Sequence, residues 1–258
     1  MKIGLIGAGA IGQFLLKELN RNQQTNLRVH SILVREREKY KELESEFDIT
    51  LYTELDEFLN STIDLIVETA NIEAVRKFIP NVLKKKDAVL ISIGALADID
   101  FLQEIESITN QYETQLHLPS GAVGGLDLLQ NAHALGNVNE VVLTTRKPAH
   151  SLIEEEIDEE MIVFEGSAVE GIKKFPKNVN VAIILSLAGI GVEKTKIRLV
   201  ADPYIERNIH QIEIIGDFGE ANFTVTNHPL PENPKTSYLA ALSILGTLKR
   251  IHSRIRIS

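Results

Sequence analysis

Within its first twelve residues this chain passes from an apolar run to three spaced glycines: Lys2-Ile3-Gly4-Leu5-Ile6-Gly7-Ala8-Gly9-Ala10-Ile11-Gly12. A run too short for a helix, closed by Gly-x-Gly-x-x-Gly and followed by helix-like spacing, has the order of a dinucleotide-binding strand, turn and helix. Gly7 permits the tight turn out of the strand. Gly9 lets a pyrophosphate approach the backbone, and Gly12 lets the helix pack closely on the strand. The unpaired N–H groups at the helix start, around Ala10 and Ile11, then attract phosphates together with the helix dipole. The plainer alternative is a glycine-rich turn that only packs.

The rest of the composition narrows the field. A chain of 258 residues suits one large domain or two modest ones, and 44% hydrophobic residues are enough to bury a core. A formal net charge of -9 makes nucleic acid and anionic membrane poor partners. The chain has no cysteine, which excludes disulfides, a zinc–thiolate site and a thiol nucleophile, and fits a cytoplasmic protein. No signal-peptide pattern opens the chain. The longest apolar stretch, Val179 to Val192, is interrupted by Asn180, Ser186 and glycines and is too short to span a bilayer.

Along the chain, apolar residues Ile11, Phe14, Leu15 and Leu19 give a helix over Ala10 to Asn20, and Leu27 to Val34 reads as a second strand. About 20 residues past such glycines an acidic residue usually meets the adenosine ribose. Here the strand ends in Val34-Arg35-Glu36-Arg37. Arg35 and Arg37 can pair with a 2′-phosphate, which would admit NADP beside NAD. Equally, they can open the charged face of a helix over Glu36 to Glu46. Thr53 to Asn60 reads as a short helix, Asp64 to Val67 as a buried strand, Ile72 to Lys84 as a helix. Asp87 to Ile93 reads as a strand, Asp98 to Asn110 as a helix, and Gln115 to Leu118 as a short strand. Alternating strands and helices imply a parallel sheet covered on both faces. Its carboxyl ends, Glu68 to Asn71 and Ser92 to Ala95, then line the nicotinamide half of the cleft, with Ala70 and Ala95 among the contacts. Ordinary strand-to-helix turns are the alternative.

The pattern changes at Pro119-Ser120-Gly121-Ala122-Val123-Gly124-Gly125, a second glycine-rich turn before a helical run from Leu126 to Leu135. Its N–H groups can hold a carboxylate or a carboxamide; a hinge is an equal reading. Glu140 to Lys147, Met161 to Gly166, Thr195 to Ala201, Ile209 to Ile215 and Phe218 to Thr226 read as strands, the last two joined by a hairpin at Gly216-Asp217. Ala168 to Phe175 and Val179 to Leu187 read as helices, and the acidic segment Glu154 to Glu160 as solvated surface rather than a metal site. The expected architecture is α/β: a Rossmann domain over 1–118, an α+β substrate and dimerisation domain over 119–232, and a helix in 233–258 returning to the first domain. For that helix, Asn233 caps, Pro234 takes the first position, and Leu239, Leu242, Leu245 and Leu248 form the stripe.

Of seven histidines, His30, His133 and His252 read as structural or surface residues. His117 ends a strand near the second glycine turn. His210 alternates with Ile209 and Ile212 in a strand and titrates naturally near working pH, as a base or acid should. An acidic substrate would need cations such as Lys147 and Lys174, beside Arg146, Lys173 and Lys235. No serine nucleophile elbow or His-Glu-x-x-His motif occurs.

Several blocks resemble the L-aspartate dehydrogenase family. They are Pro119 to Asp127, Thr145-Arg146-Lys147-Pro148, Val163-Phe164-Glu165-Gly166, Phe175-Pro176-Lys177-Asn178-Val179-Asn180-Val181, Ser186 to Gly191 and Asn233-Pro234-Lys235-Thr236-Ser237-Tyr238-Leu239. They run in order through nearly the whole chain. The resemblance implies NAD(P)-dependent oxidation of L-aspartate to iminosuccinate, reversible to oxaloacetate plus ammonia and feeding NAD biosynthesis, in a homodimer. It maps the catalytic histidine onto His210 and cofactor contacts onto Ala122 and Asn180. Ser120 and Gly121 of the second glycine turn, with Lys147 and Lys174, are the candidates for holding the substrate. The missing acidic ribose partner departs from a strict NAD enzyme. Two alternatives share the first half: a reductase of homoserine or a cyclic imine, and an NAD(H)-sensing protein without turnover.

Overall fold

The computed structural model describes residues 1–21, 26–175 and 180–255. Two compact units emerge: Met1–Pro119 together with the segment from Ala241 onward, and Ser120–Ala240.

In the first unit, β1 (Lys2–Ile6), α1 (Ala10–Asn20), β2 (Arg28–Leu33), α2 (Glu42–Phe47), β3 (Thr50–Tyr52) and α3 (Leu55–Asn60) are followed by β4 (Leu65–Glu68), α4 (Ile72–Leu83), β5 (Ala88–Leu90), α5 (Ile99–Tyr112) and β6 (Leu116–His117). All described pairings are parallel, in the order β3-β2-β1-β4-β5-β6. This is the Rossmann order, and the strand order reverses beside β1, where such folds bind ligands. Apolar side chains on both faces make the inner strands continuous runs: every residue of β4 is buried. Asn71 and Asp98 cap α4 and α5 through side-chain carboxyl or amide oxygens.

One expectation for this unit needs correction, and one strand was not anticipated. The charged run after β2 is no continuous helix over Glu36 to Glu46: a single 3-10 turn (Glu38–Tyr40) precedes α2. Residues 35 to 39 are all exposed, so no apolar face anchors the first turns, and Phe47 is the residue α2 buries. The edge strand β3, which no alternation announces, buries only Leu51.

The second unit contains α6 (Leu126–His133), β7 (Val138–Pro148), β8 (Met161–Ser167), α7 (Ala168–Lys174), α8 (Asn180–Ala188), β9 (Lys196–Asp202), β10 (Ile209–Gly216), β11 (Gly219–Thr226), β12 (Pro229–Leu230) and β13 (Asn233–Ser237). The main sheet runs β11-β10-β7-β9-β8. It is antiparallel except for the parallel pair β7–β9. Register Gly216↔Gly219 closes a two-residue hairpin loop, Asp217-Phe218. A capping box at Ser167 and Glu170 starts α7.

The helix expected from Asn233 begins later. Asn233–Ser237 pairs with Pro229–Leu230 instead, and α9 spans Tyr238–His252. Hydrogen bonds hold that hairpin: Tyr238 N–H donates to the His228 carbonyl (2.9 Å), and the Ser237 hydroxyl to Asn227 Oδ1 (2.7 Å). The Asn-Pro pair therefore belongs to a strand rather than a cap. The buried face of α9 is Ala241, Ile244 and Leu248, while Leu242 points to solvent.

Candidate functional site

In the first unit the turn after β1 is shaped for close approach. Gly7 has φ +100°, and a Cβ there would stand 2.8 Å from the Ala70 Cβ. A Cβ on Gly12 would stand 2.6 Å from the Gly7 carbonyl oxygen, so α1 lies directly against the turn. At Gly9 the nearest atom lies 4.0 Å from such a Cβ, which leaves room above the backbone. Thr69 Oγ1 donates to the Gly7 carbonyl (3.0 Å), and Gly7 N–H donates to the Leu33 carbonyl (3.0 Å). Gly9 caps α1 without a side-chain hydrogen bond. Backbone donors at the helix start, around Ala10 and Ile11, are left for an anion. This arrangement fits the pyrophosphate of a dinucleotide.

At the end of β2, Arg35 and Arg37 are both exposed, and they differ in engagement. Arg37 makes a forked ion pair with Glu44 (Nη2–Oε1 3.0 Å, Nε–Oε2 3.2 Å). Arg35 reaches Glu73 only at 3.6 Å. Ala70 is exposed beside the glycine turn, whereas Ala95 is fully buried in the 3-10 turn Ile93–Ala97, so its side chain meets protein.

Between these turns stands Glu68, with no exposed surface. Its Oε1 accepts from Ala70 N–H (2.7 Å) and the Ser92 hydroxyl (3.0 Å), and its Oε2 from Ser92 N–H (3.0 Å). Burial pushes its carboxyl up to about 7, against the pull of the Ser92, Ala70 and Asn71 donors. Sequence reasoning noted Glu68 only as part of a turn. The available signal was an acid closing the otherwise apolar strand Leu65-Ile66-Val67-Glu68.

In the second unit, alternation along β7 and β10 decides what faces inward. His210, Ile212 and Ile214 are buried on one side of β10, opposite Thr145, Leu143 and Val141 of β7. His210 Nδ1 lies 3.0 Å from Thr145 Oγ1, both buried. Lys147, two residues beyond Thr145, shares that face. Burial, then the Lys147 charge, lowers the His210 imidazole to about 4, and burial also lowers the Lys147 ammonium. The imidazole is therefore neutral at physiological pH. Thr145 was missed in sequence because its role depends on register across the sheet.

The turn at 119–125 is held from behind. Asn227, buried, donates from Nδ2 to the Ala122 carbonyl (3.1 Å). Gly125, at φ +78°, packs beneath Phe223, whose ring a Cβ would meet at 2.6 Å. Ser120 and Gly121 are half-buried, Gly121 at φ +66°. Asn180 is exposed at the first position of α8. The residues before it in the resemblance block, 176–179, lie outside the described residues. Lys174 is exposed, its ammonium 5.4 Å from the Phe164 ring centroid. Arg146 is committed to Glu160 (2.5 Å) and Asp202 (3.4 Å). Among the described residues no His, Asp and Glu cluster could hold a metal, and no helix is long and apolar enough to cross a membrane.

Comparison with known proteins places these features. Residues 127–251 match the family model "aspartate dehydrogenase, C-terminal", and residues 7–119 match "homoserine dehydrogenase, NAD binding domain". An L-aspartate dehydrogenase of Methanosarcina mazei is 40% identical, covering 100% of this chain and 99% of the relative. That of Archaeoglobus fulgidus is 41% identical over 97% of this chain and 98% of its own. The crystal structure of aspartate dehydrogenase from Thermotoga maritima superposes with a TM-score of 0.80 at 31% identity, covering 100% of this chain and 99% of that one.

Proposed function

The chain belongs to the L-aspartate dehydrogenase family, and on that premise we propose how its own residues carry the oxidation of L-aspartate to iminosuccinate with NAD. Bound nicotinamide supplies the acceptor for the hydride that leaves Cα of the substrate. The turn Gly7–Gly12 and the uncapped start of α1 bind the dinucleotide phosphates. Within the same unit Ala70 adds a contact, and the buried Ala95 shapes the turn after β5. In the second unit, the family resemblance assigns cofactor contacts to Ala122 and Asn180.

The observation that carries the chemistry is a buried, neutral imidazole, His210, on the same face as a cation, Lys147. The substrate ammonium must lose a proton before the nitrogen lone pair can assist hydride departure. His210 takes that proton. Burial, and then the Lys147 charge, hold the imidazole unprotonated beforehand; a substrate carboxylate that offsets the lysine charge raises its basicity when it is needed. Ser120, Gly121 and Lys174 supply further donors to the substrate carboxylates. With Thr145 Oγ1 accepting Nδ1–H, the lone pair stands on Nε2.

Arg35, at the position of the usual ribose acid and only loosely paired, supports acceptance of NADP beside NAD. The assembly is a homodimer, checked by light scattering on a sizing column. The activity is tested by following reduced nicotinamide with L-aspartate, then in reverse with oxaloacetate plus ammonia, against homoserine and buffer. Turnover with aspartate and none with homoserine is the expected result; the opposite pattern would sink the reading.

A further inference from the structure

The first unit contains a buried carboxyl that the oxidation does not use. Glu68 closes β4 in register with Ile6, the residue before Gly7, and with Leu90 at the end of β5. It therefore stands at the carboxyl edge of the sheet, between the glycine turn and the turn after β5. Hydrogen bonds from the N–H groups of Ala70 and Ser92 and from the Ser92 hydroxyl converge on it, with Asn71 N–H a further donor, all neutral. Ala70 in turn fills the space against Gly7 where a side chain would otherwise sit. One carboxylate thus ties the turn after β4 to the turn after β5, and through Ala70 braces the turn after β1. An aliphatic residue of the same size would avoid the burial penalty but leave two backbone N–H groups without acceptors.

We propose that Glu68 is a positioning residue for the dinucleotide: it gives the Ala70 and Ser92 turns the single shape on which the nicotinamide end rests. The inference rests on the dinucleotide site described above. A glutamine at this position offers one acceptor oxygen where the structure uses two. One backbone N–H then faces an amide NH2, and its turn loosens.

The test is an NADH fluorescence titration of the wild type, Glu68→Gln and Ser92→Ala, with amide hydrogen exchange at Ala70 and Ser92 in the ligand-free proteins. In Glu68→Gln the NADH Kd rises about tenfold, the upper scale of one lost hydrogen bond. Exchange at Ala70 or Ser92 accelerates, and KM for NAD rises far more than kcat falls. A Glu68→Gln protein with wild-type NADH affinity overturns the proposal, even if its Tm drops, because the carboxylate then supports the fold alone. Should Glu68→Gln not fold, Ser92→Ala decides: it removes the hydroxyl donor, and a rise in NADH Kd of about two- to threefold supports the proposal, while an unchanged Kd overturns it. Wild-type binding in the same titration separates failure of the dinucleotide reading from failure of this one.

Discussion

Glu68 in the first unit and His210 in the second are both buried ionisable groups, and burial moves them in opposite directions. Glu68 rises to about 7 and His210 falls to about 4. The rule is one: low polarity favours whichever form is uncharged. The neighbours set the difference in use. The Ala70, Ser92 and Asn71 donors oppose that rise and tie Glu68 to two turns, so it anchors backbone. At His210 burial is reinforced by the Lys147 charge, which further disfavours the imidazolium, so it keeps a lone pair. A carboxyl suits bracing and an imidazole suits proton transfer because each is buried among the neighbours that its task requires.

The sharpest way to break this contrast is His210→Ala. It should lower kcat by roughly 10²–10⁴-fold, the span of general base catalysis, while NADH affinity stays near wild type. Near-normal turnover would remove His210 from the role.

Next comes pH. For His210 the folded value lies below the ordinary 6.5, so the unfolded chain binds the extra proton, and the contribution present above 6.5 is lost as pH falls toward 4. For Glu68 the folded value lies above the ordinary 4.5, so the contribution present below 4.5 is lost as pH rises through about 7. Each shift amounts to on the order of 3 kcal/mol. Denaturant unfolding of the wild type against His210→Asn and Glu68→Gln should therefore give stability differences with opposite slopes. Slopes of the same sign would dissolve the comparison.

A smaller effect is expected at Thr145. Thr145→Val should cost about tenfold in kcat, with Thr145→Ser recovering most of it, since one hydrogen bond to the ring is lost and restored. Equal turnover in all three proteins would mean that packing alone orients the imidazole. The smallest is Arg35→Glu, which should raise KM for NADP by about three- to tenfold while leaving NAD nearly unchanged, as expected for an exposed charge. An unchanged NADP KM would assign Arg35 to its contact with Glu73.

Much of the fold was legible because local pattern and burial coincide. The glycine spacing before α1, the apolar run of β4 and the Gly216-Asp217 hairpin each announce an element within a few residues. Elements that answer to distant partners were not legible. Leu51 alone commits β3 to the sheet edge. Asn233 and Pro234 resemble a helix start, yet pairing with Pro229 and Leu230 overrides that signal. The site divides in the same way. Gly7, Gly9 and Gly12 announce themselves by spacing, and His210 was singled out by its strand and by family resemblance. Thr145 is 65 positions from His210 and meets it only through β7–β10 register. Ser92 is 24 positions from Glu68, across a helix and a strand. No local pattern encodes either meeting.

The split of the first unit has a consequence for how the protein is made. Its strands leave the ribosome first, but Ala241, Ile244 and Leu248, which have no exposed surface, are synthesised only after the whole second unit. The nucleotide-binding half therefore waits through the synthesis of the second unit with part of its apolar surface uncovered, while the second unit can complete its own core sooner. Synthesis order and folding order are crossed in this chain. Until α9 is made, the first unit is open to proteases and aggregation.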